Sequence, residues 1–413
     1  MKLLFGSINM FLEGIYWLIF PLLYGYLAYK GYLESIRAKG EDLEKGVLFH
    51  AASLGEVAAI RPLVLSLSGR YPAIKIGITT TTLGGLQQAI GITPRVKAWL
   101  AVLDLPHLRR KQLAKLNPGL ICIVETEIWP NLLAWAAQNK VPVLFLNARM
   151  SARSLEHYKM IKLMFGYLES PIRAVLAQSE TDAQRFTQIF KCPVHMAGNL
   201  KYCLQLPDYK PLELRAEWGY EQNDRIICFG SSRPGEEAMI LSLWPKLKAR
   251  FKHSKLIIAI RHPKRLPELV KLLSETPHQL YSQARINPET ADVLIIDVLG
   301  VLDKAYALCD IAIVGGSFFD FGGHNPLEPA YYSKPVIMGQ YHQSCRESVQ
   351  KLVASEGLII SNPDSLLRDL TELLDDPDQR IHRGDKARQV LQDNSRALQV
   401  HHEAVVSAMR LGV

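Results

Sequence analysis

Residues 46–71 read GVLFHAASLGEVAAIRPLVLSLSGRY. A short apolar run, GVLFH, meets a small polar loop and passes into a longer amphipathic stretch, the pattern of a strand feeding a helix. The unit recurs downstream. Apolar runs at 74–80 (IKIGITT), 120–124 (LICIV), 141–147 (VPVLFLN), 174–179 (AVLAQS) and 194–198 (VHMAG) are separated by helix-like stretches. Residues 204–224, with Pro207, Pro211 and several charges, read as a connector. The alternation then restarts at 225–230 (RIICFG), 256–260 (LIIAI), 293–297 (VLIID), 311–316 (IAIVGG), 335–339 (PVIMG) and 357–361 (GLIIS), and 363–410 reads as helices with charged faces. Strands alternating with helices imply βαβ units and a mostly parallel sheet. Each half is too short for a closed barrel, so the expected fold class is α/β, with two doubly wound, Rossmann-like domains facing across a cleft. Ligands of such sheets bind outside the carboxyl ends of the strands.

Composition narrows the function. The chain has 413 residues, 48% hydrophobic and 21% charged, which excludes disordered, collagen-like and disulfide-scaffold classes. A formal charge of +8 favours an acidic partner. The basic residues are scattered, not set in a stripe with interleaved aromatics, so nucleic acid is not expected. Six cysteines without a C-x-x-C pair point to a reducing compartment and no structural zinc. Residues 3–29 are strongly apolar, with an uninterrupted part from Gly14 to Tyr29 and Glu13 and Pro21 within or beside it. That is slightly short for a spanning helix. Its tyrosines and Trp17 suit the headgroup level. Residues 1–33 are therefore expected to anchor the chain on a membrane, with 34–46 as a linker. No G-x-x-x-x-G-K-[ST] loop occurs, and the only D-x-D is Asp376-Pro377-Asp378.

The loops after the strands hold the candidate chemistry. Ser53 and Glu56, with Gly55 between, fit a capping box, in which the carboxylate only satisfies backbone amides; a carboxylate there also suits a general base. Glu125 and Glu127 follow the run at 120–124, and a strand persisting to 127 would project both from one face. Arg149 and Lys201 end later runs and offer positive charge to a ligand or to solvent. In the second half, Gly230-Ser231-Ser232-Arg233 opens a helix, and Arg261 follows the run at 256–260. The segment Gly315-Gly316 to Pro329 includes Gly322-Gly323-His324-Asn325-Pro326-Leu327-Glu328. Its glycines let backbone approach a ligand, and a helix beginning near Asn325 would offer amides to a phosphate.

In order along the chain, HAASLGE (50–56), VETEIWPN (124–131), NARMSARS (147–154), GNLK (198–201), RHP (261–263) and GGHNPLE (322–328) resemble the 3-deoxy-D-manno-octulosonic acid (Kdo) transferases of lipopolysaccharide assembly. The resemblance implies a GT-B architecture and an inverting, metal-independent transfer of Kdo from CMP-Kdo to a lipid A precursor, lipid IVA, with no cofactor. It implies an acceptor domain at 46–203, a donor domain at 222–395 and a C-terminal helix at 396–413 packing back on the first domain. Glu56 would be the base. Ile260, Arg261, Leu299, Gly300, Val301, Asn325, Pro326, Leu327 and Glu328 would hold CMP. Ser53, Gly55, Glu125, Glu127, Arg149 and Lys201 would support the acceptor side or the transition state. The enzyme would work on an anionic membrane surface, the cytoplasmic face of the bacterial inner membrane. Val301 stands where the family commonly has glutamate, and Cys203 where aspartate is usual. The competing readings are another GT-B enzyme using a UDP-sugar, as transferase or epimerase, and a non-catalytic lipid-binding scaffold.

Overall fold

The computed structural model describes residues 33–160, 168–283 and 286–410, with Ser7, Met10, Gly14, Ile15 and Leu18 as isolated helical positions. The chain divides into two compact units, one of residues 1–203 with 394–413 and one of residues 204–393.

The first unit carries β1 (Val47–His50), β2 (Ile76–Thr80), β3 (Val96–Leu100), β4 (Leu120–Val124), β5 (Val143–Ala148), β6 (Ile172–Ala177) and β7 (Val194–Met196). They form one parallel sheet in the order β3-β2-β1-β4-β5-β6-β7. Parallel strands need crossover helices, which cover both faces and make the strands apolar throughout. Accordingly Val47 and Phe49 enter one core while Leu48 enters the other. The strand order reverses between β1 and β4, where Phe49 lies beside Cys122. That reversal is where an open α/β sheet leaves a crevice for ligand.

The helix Arg396–Arg410 belongs to this unit, and Ala397, Val405, Val406 and Ala408 join the core that holds Phe49. His401 fixes it. Its Nε2 accepts from the Asn147 amide at 2.9 Å while its Nδ1 donates to the Ala397 carbonyl at 2.7 Å, so the ring is neutral. Burial pushes its pKa down to about 4.

The second unit repeats the plan with β8 (Arg225–Ser232), β9 (Ser254–Ile260), β10 (His278–Leu280), β11 (Val293–Ile296), β12 (Ile311–Val314), β13 (Val336–Met338) and β14 (Leu358–Ile360). The order is β10-β11-β9-β8-β12-β13-β14, all parallel, with the reversal between β8 and β12. Ile227 and Phe229 enter one core, Ile226 and Cys228 the other. Residues 204–224, read as a connector, are part of this unit. They form the helix Pro211–Glu217 and bury Trp218 and Tyr220.

Two strands were not anticipated, β3 and β10, and both are sheet edges. In β3 only the end residues are buried, and β10 is three half-buried residues. An edge strand needs less apolar sequence than a central one, so its signal is weak. The anchor expected at 1–33 lies almost wholly outside the described residues. Among the described residues no helix is long and apolar enough to cross a membrane.

Candidate active site

At the β1/β4 reversal, the chain leaves β1 through Ala51, Ala52 and Ser53 into the helix Leu54–Arg70. Ser53 is extended, and its hydroxyl oxygen accepts from the Glu56 amide at 3.2 Å. Glu56 folds back. Its carboxylate accepts from the Ala52 amide at 2.7 Å and from the Ser53 hydroxyl at 2.9 Å. Glu56 therefore does form the capping arrangement, and it is only 8% exposed. Desolvation outweighs those two hydrogen bonds, and the negative charges of Glu125 and Glu127 add to it, so its pKa rises to about 7. A carboxylate with that pKa is half ionised at neutral pH, the condition a general base needs.

Glu125 and Glu127 approach by a different route from the one expected. The strand ends at Val124, and Glu125 takes φ of 57°, a left-handed conformation rare for a residue with a side chain. Strand alternation thus has no part in placing them. Burial raises the Glu125 carboxyl, while Arg149 and Lys201 pull it down. Burial raises Glu127 as well, opposed by a 2.7 Å hydrogen bond from the Trp129 indole. Behind them lies a group the sequence did not reveal. Arg109, 1% exposed, pairs with Asp104 at 2.9 Å, and its guanidinium lies 5.1 Å from the Trp129 ring centre. Asp104 also accepts from the Asn131 amide at 2.9 Å, which pins the turn carrying Glu127 and Trp129. Arg149 is exposed, and its carbonyl accepts from the Thr126 hydroxyl. Lys201 lies 5.1 Å from the Tyr202 ring centre, on a turn started by Asn199.

At the β8/β12 reversal, carboxylates act as architecture. Glu236, fully buried, accepts from the amides of Arg233, Gly316, Ser317 and Phe318 at 2.8–3.0 Å. Glu237 takes both arms of Arg265, at 2.9 and 3.2 Å, and the Ser232 hydroxyl at 2.8 Å. The amides of Gly316, Ser317 and Phe318 are thus already engaged. The helix beyond it spans only Leu327–Tyr331, with Asn325 Oδ1 accepting from the Leu327 amide at 3.1 Å. What this edge offers an anion is side-chain charge. Arg233 hydrogen-bonds His262 and lies 4.6 Å from the Phe321 ring centre. Arg261 is exposed beside them. Burial and these guanidinium groups hold His324 down to about 4, so it is neutral, and its buried Nε2 has no partner among the described residues.

The chain is 33% identical over 372 residues to the 3-deoxy-D-manno-octulosonic acid transferase of Haemophilus influenzae, covering 86% of this chain and 85% of that one. It belongs to the Kdo transferase family. Residues 29–204 match the family described as 3-Deoxy-D-manno-octulosonic-acid transferase (kdotransferase). The chain is a glycosyltransferase with the paired parallel sheets of the GT-B fold. Solved structures share that fold. The UDP-GlcNAc 2-epimerase from Neisseria meningitidis, bound to UDP-GlcNAc, aligns with a TM-score of 0.57 at 14% identity, over 87% of this chain and 99% of that one. MurG from Acinetobacter baumannii gives 0.54 at 14% identity, over 88% and 99%. At such identity the likeness concerns the fold alone.

Within this Kdo transferase fold the residues named from sequence fall into two groups. Glu56, Ser53, Glu125 and Glu127 converge at the first reversal, with Arg149 and Lys201 acting on Glu125; Gly55, in the first turn, is open enough for a side chain. Ile260, Arg261, Asn325, Pro326, Leu327 and Glu328 are at the carboxyl edge of the second sheet, and Glu328 feels both Asp303 and Arg261. Leu299 is 74% exposed, and Gly300 has φ of 84°. Val301 caps the helix Leu302–Leu308 without a side-chain bond. The sequence reading left out Arg233, His262 and His324 as site residues, although each belongs to a motif it singled out. The signal available was several cationic types within post-strand loops of one half.

Proposed function

We propose that this chain transfers Kdo from CMP-Kdo to a hydroxyl of a lipid A precursor, with inversion and without a metal ion. The observation that carries the reading is Glu56, a carboxylate at a sheet reversal whose burial lifts its pKa to about 7. The acceptor oxygen attacks the anomeric carbon of Kdo as Glu56 takes its proton. The bond from that carbon to the phosphate oxygen breaks, and the electron pair leaves with CMP. A single displacement of this kind inverts the anomeric centre.

Arg261 and Arg233 would meet the growing charge on the departing phosphate, a role a cation fills elsewhere. Neutral His324 can donate one hydrogen bond to the same group without adding charge. Glu125, tuned by Arg149 and Lys201, and Glu127 keep Glu56 basic by repulsion. The base belongs to one unit and the cationic edge to the other. The charge of +8 and the apolar stretch 14–29 support work on an anionic bilayer, at the cytoplasmic face of the inner membrane.

Mass spectrometry of the lipid product, after incubation with CMP-Kdo and lipid IVA, tests the reading. Wild type adds Kdo, also in the presence of a chelator. Glu56→Gln loses about 10²–10⁴-fold in rate while CMP still binds. Release of nucleotide from soluble donor with no lipid product would favour an epimerase-type reaction instead, and full activity of Glu56→Gln would remove the base.

A further inference from the structure

At the end of the second sheet opposite the Arg233 and Arg261 loops, the starts of β8, β9 and β12 border a cavity of about 510 Å³. Its lining includes five cationic side chains and two carboxylates. Two of the cations are matched. Arg215 pairs with Asp310 at 2.8 Å, and Arg250 pairs with Asp375, outside the lining, at 2.6 Å. Arg225, Lys252 and Arg380 remain against Asp224.

The simplest account of these arginines is helix capping. Arg225 donates to the Leu374 carbonyl at 2.6 Å, and Arg380 donates to Leu373 and Leu374 at 2.6 and 3.0 Å, at the end of the helix Leu366–Asp375. Cations are favoured there. Carbonyls, however, orient guanidinium groups without cancelling their charge, and each Arg has five N–H donors. Burial and the neighbouring charges of Arg225 and Arg215 push the Arg380 pKa down, opposed by Asp310 and Asp376. The helix end needs one cation, and the cavity holds several that repel one another.

We propose that this cavity binds a phosphomonoester carried on a polar, sugar-sized body. A phosphate, at about −1.5 to −2, suits a lining that keeps positive charge even when Asp376, outside it, is set against Arg380. Arginine forks suit its oxygens. Gln222, Asn223 and His253, also in the lining, offer hydrogen bonds to hydroxyl groups. The volume falls in the range of small-molecule sites. The proposal is independent of the transfer reaction, whose candidate residues in this unit lie at the other ends of the strands.

Titration calorimetry on the full chain, with inorganic phosphate and with glucose 6-phosphate as probes, tests it. Wild type binds both, the sugar phosphate more tightly. Lys252→Glu, an exposed change, weakens binding at least tenfold, and Arg380→Lys, which keeps the charge but loses the fork, also weakens it. Arg261→Ala leaves the Lys252-dependent part of the binding unchanged. A lipid headgroup carries the same phosphate, so flotation with phosphatidic acid vesicles against phosphatidylcholine vesicles is run in parallel. Lys252-dependent flotation without binding of the soluble probes assigns the phosphate to a lipid. Absence of both effects, or phosphate binding that survives Lys252→Glu and is lost in Arg261→Ala, overturns the site.

Discussion

Replacing Glu56 by glutamine separates a helix cap from a base, because the two roles predict opposite changes in stability. In the folded chain the carboxyl is raised from 4.5 to about 7, with burial the main cause. The unfolded chain keeps the ordinary value. Between those two pH values folding takes up a proton, so raising the pH through this window erodes native stability, by about 3 kcal/mol in total. Glutamine does not titrate and escapes that erosion. It can still accept from the Ala52 amide or the Ser53 hydroxyl, and losing the other bond costs about 1 kcal/mol at every pH. Glu56→Gln should therefore be slightly less stable than wild type at pH 4.5 and more stable at pH 8. Urea unfolding at both pH values, in detergent, measures this. With a slope of about 1–3 kcal/mol per molar urea, the change in relative midpoint between the two pH values is about 1–3 M. Carboxyl groups away from Glu56 titrate equally in both proteins and drop out; Glu125 and Glu127, which repel it, lose that repulsion in the variant and shift the same comparison slightly. Parallel pH dependence of the two proteins would refute the raised pKa, and a variant less stable at pH 8 would mark Glu56 as a cap alone. A gain in stability with a loss of transfer is the trade expected of a group strained for function.

Three further perturbations probe the frame and the second site. His401→Ala removes the acceptor of the Asn147 amide and should cost about 2–3 kcal/mol in urea unfolding. Because burial lowers the wild-type ring from 6.5 to about 4, its contribution is complete above pH 6.5 and fades as pH falls toward 4, a slope the variant lacks. Glu236→Ala strips four backbone amides of their acceptor and should destabilise the second unit by more than about 3 kcal/mol, read by thermal unfolding with and without CMP. Arg261→Ala should weaken CMP binding about tenfold or more in calorimetry, with unfolding unchanged because the side chain is exposed.

The frame was legible because parallel strands covered on both faces must be apolar along their whole length. LICIV and RIICFG announce themselves for that reason, while β3, with Lys97 exposed and Trp99 half-buried, does not. Local motifs fared differently. The Ser53–Glu56 spacing declared a loop entering a helix but not the burial that perturbs the carboxyl. Arg109 lies within LRRKQLAK (108–115), which reads as a solvated face, and only the tertiary fold puts its guanidinium under Trp129. Nothing local in the turn around Gly316 says that Glu236, eighty residues earlier, accepts its amides.

The two reversals show why one residue pattern can end in chemistry or in architecture. Glu56 and Glu236 both follow a strand that borders the reversal of its sheet, both are buried, and both have raised pKa values. Glu236 has four amide donors, which compensate its charge and lock two loops together; nothing is left for it to do on protonation except release them. Glu56 has two donors and two carboxylates acting on it, so its ionised form is under-compensated and a proton is welcome. Burial supplies the desolvation in each case, and the count of donors against like charges decides the outcome. Taking Glu125 and Glu127 to glutamine should therefore lower the Glu56 pKa and shift the acid limb of the rate profile downward, whereas the same shift is not available at Glu236 without unfolding its loops.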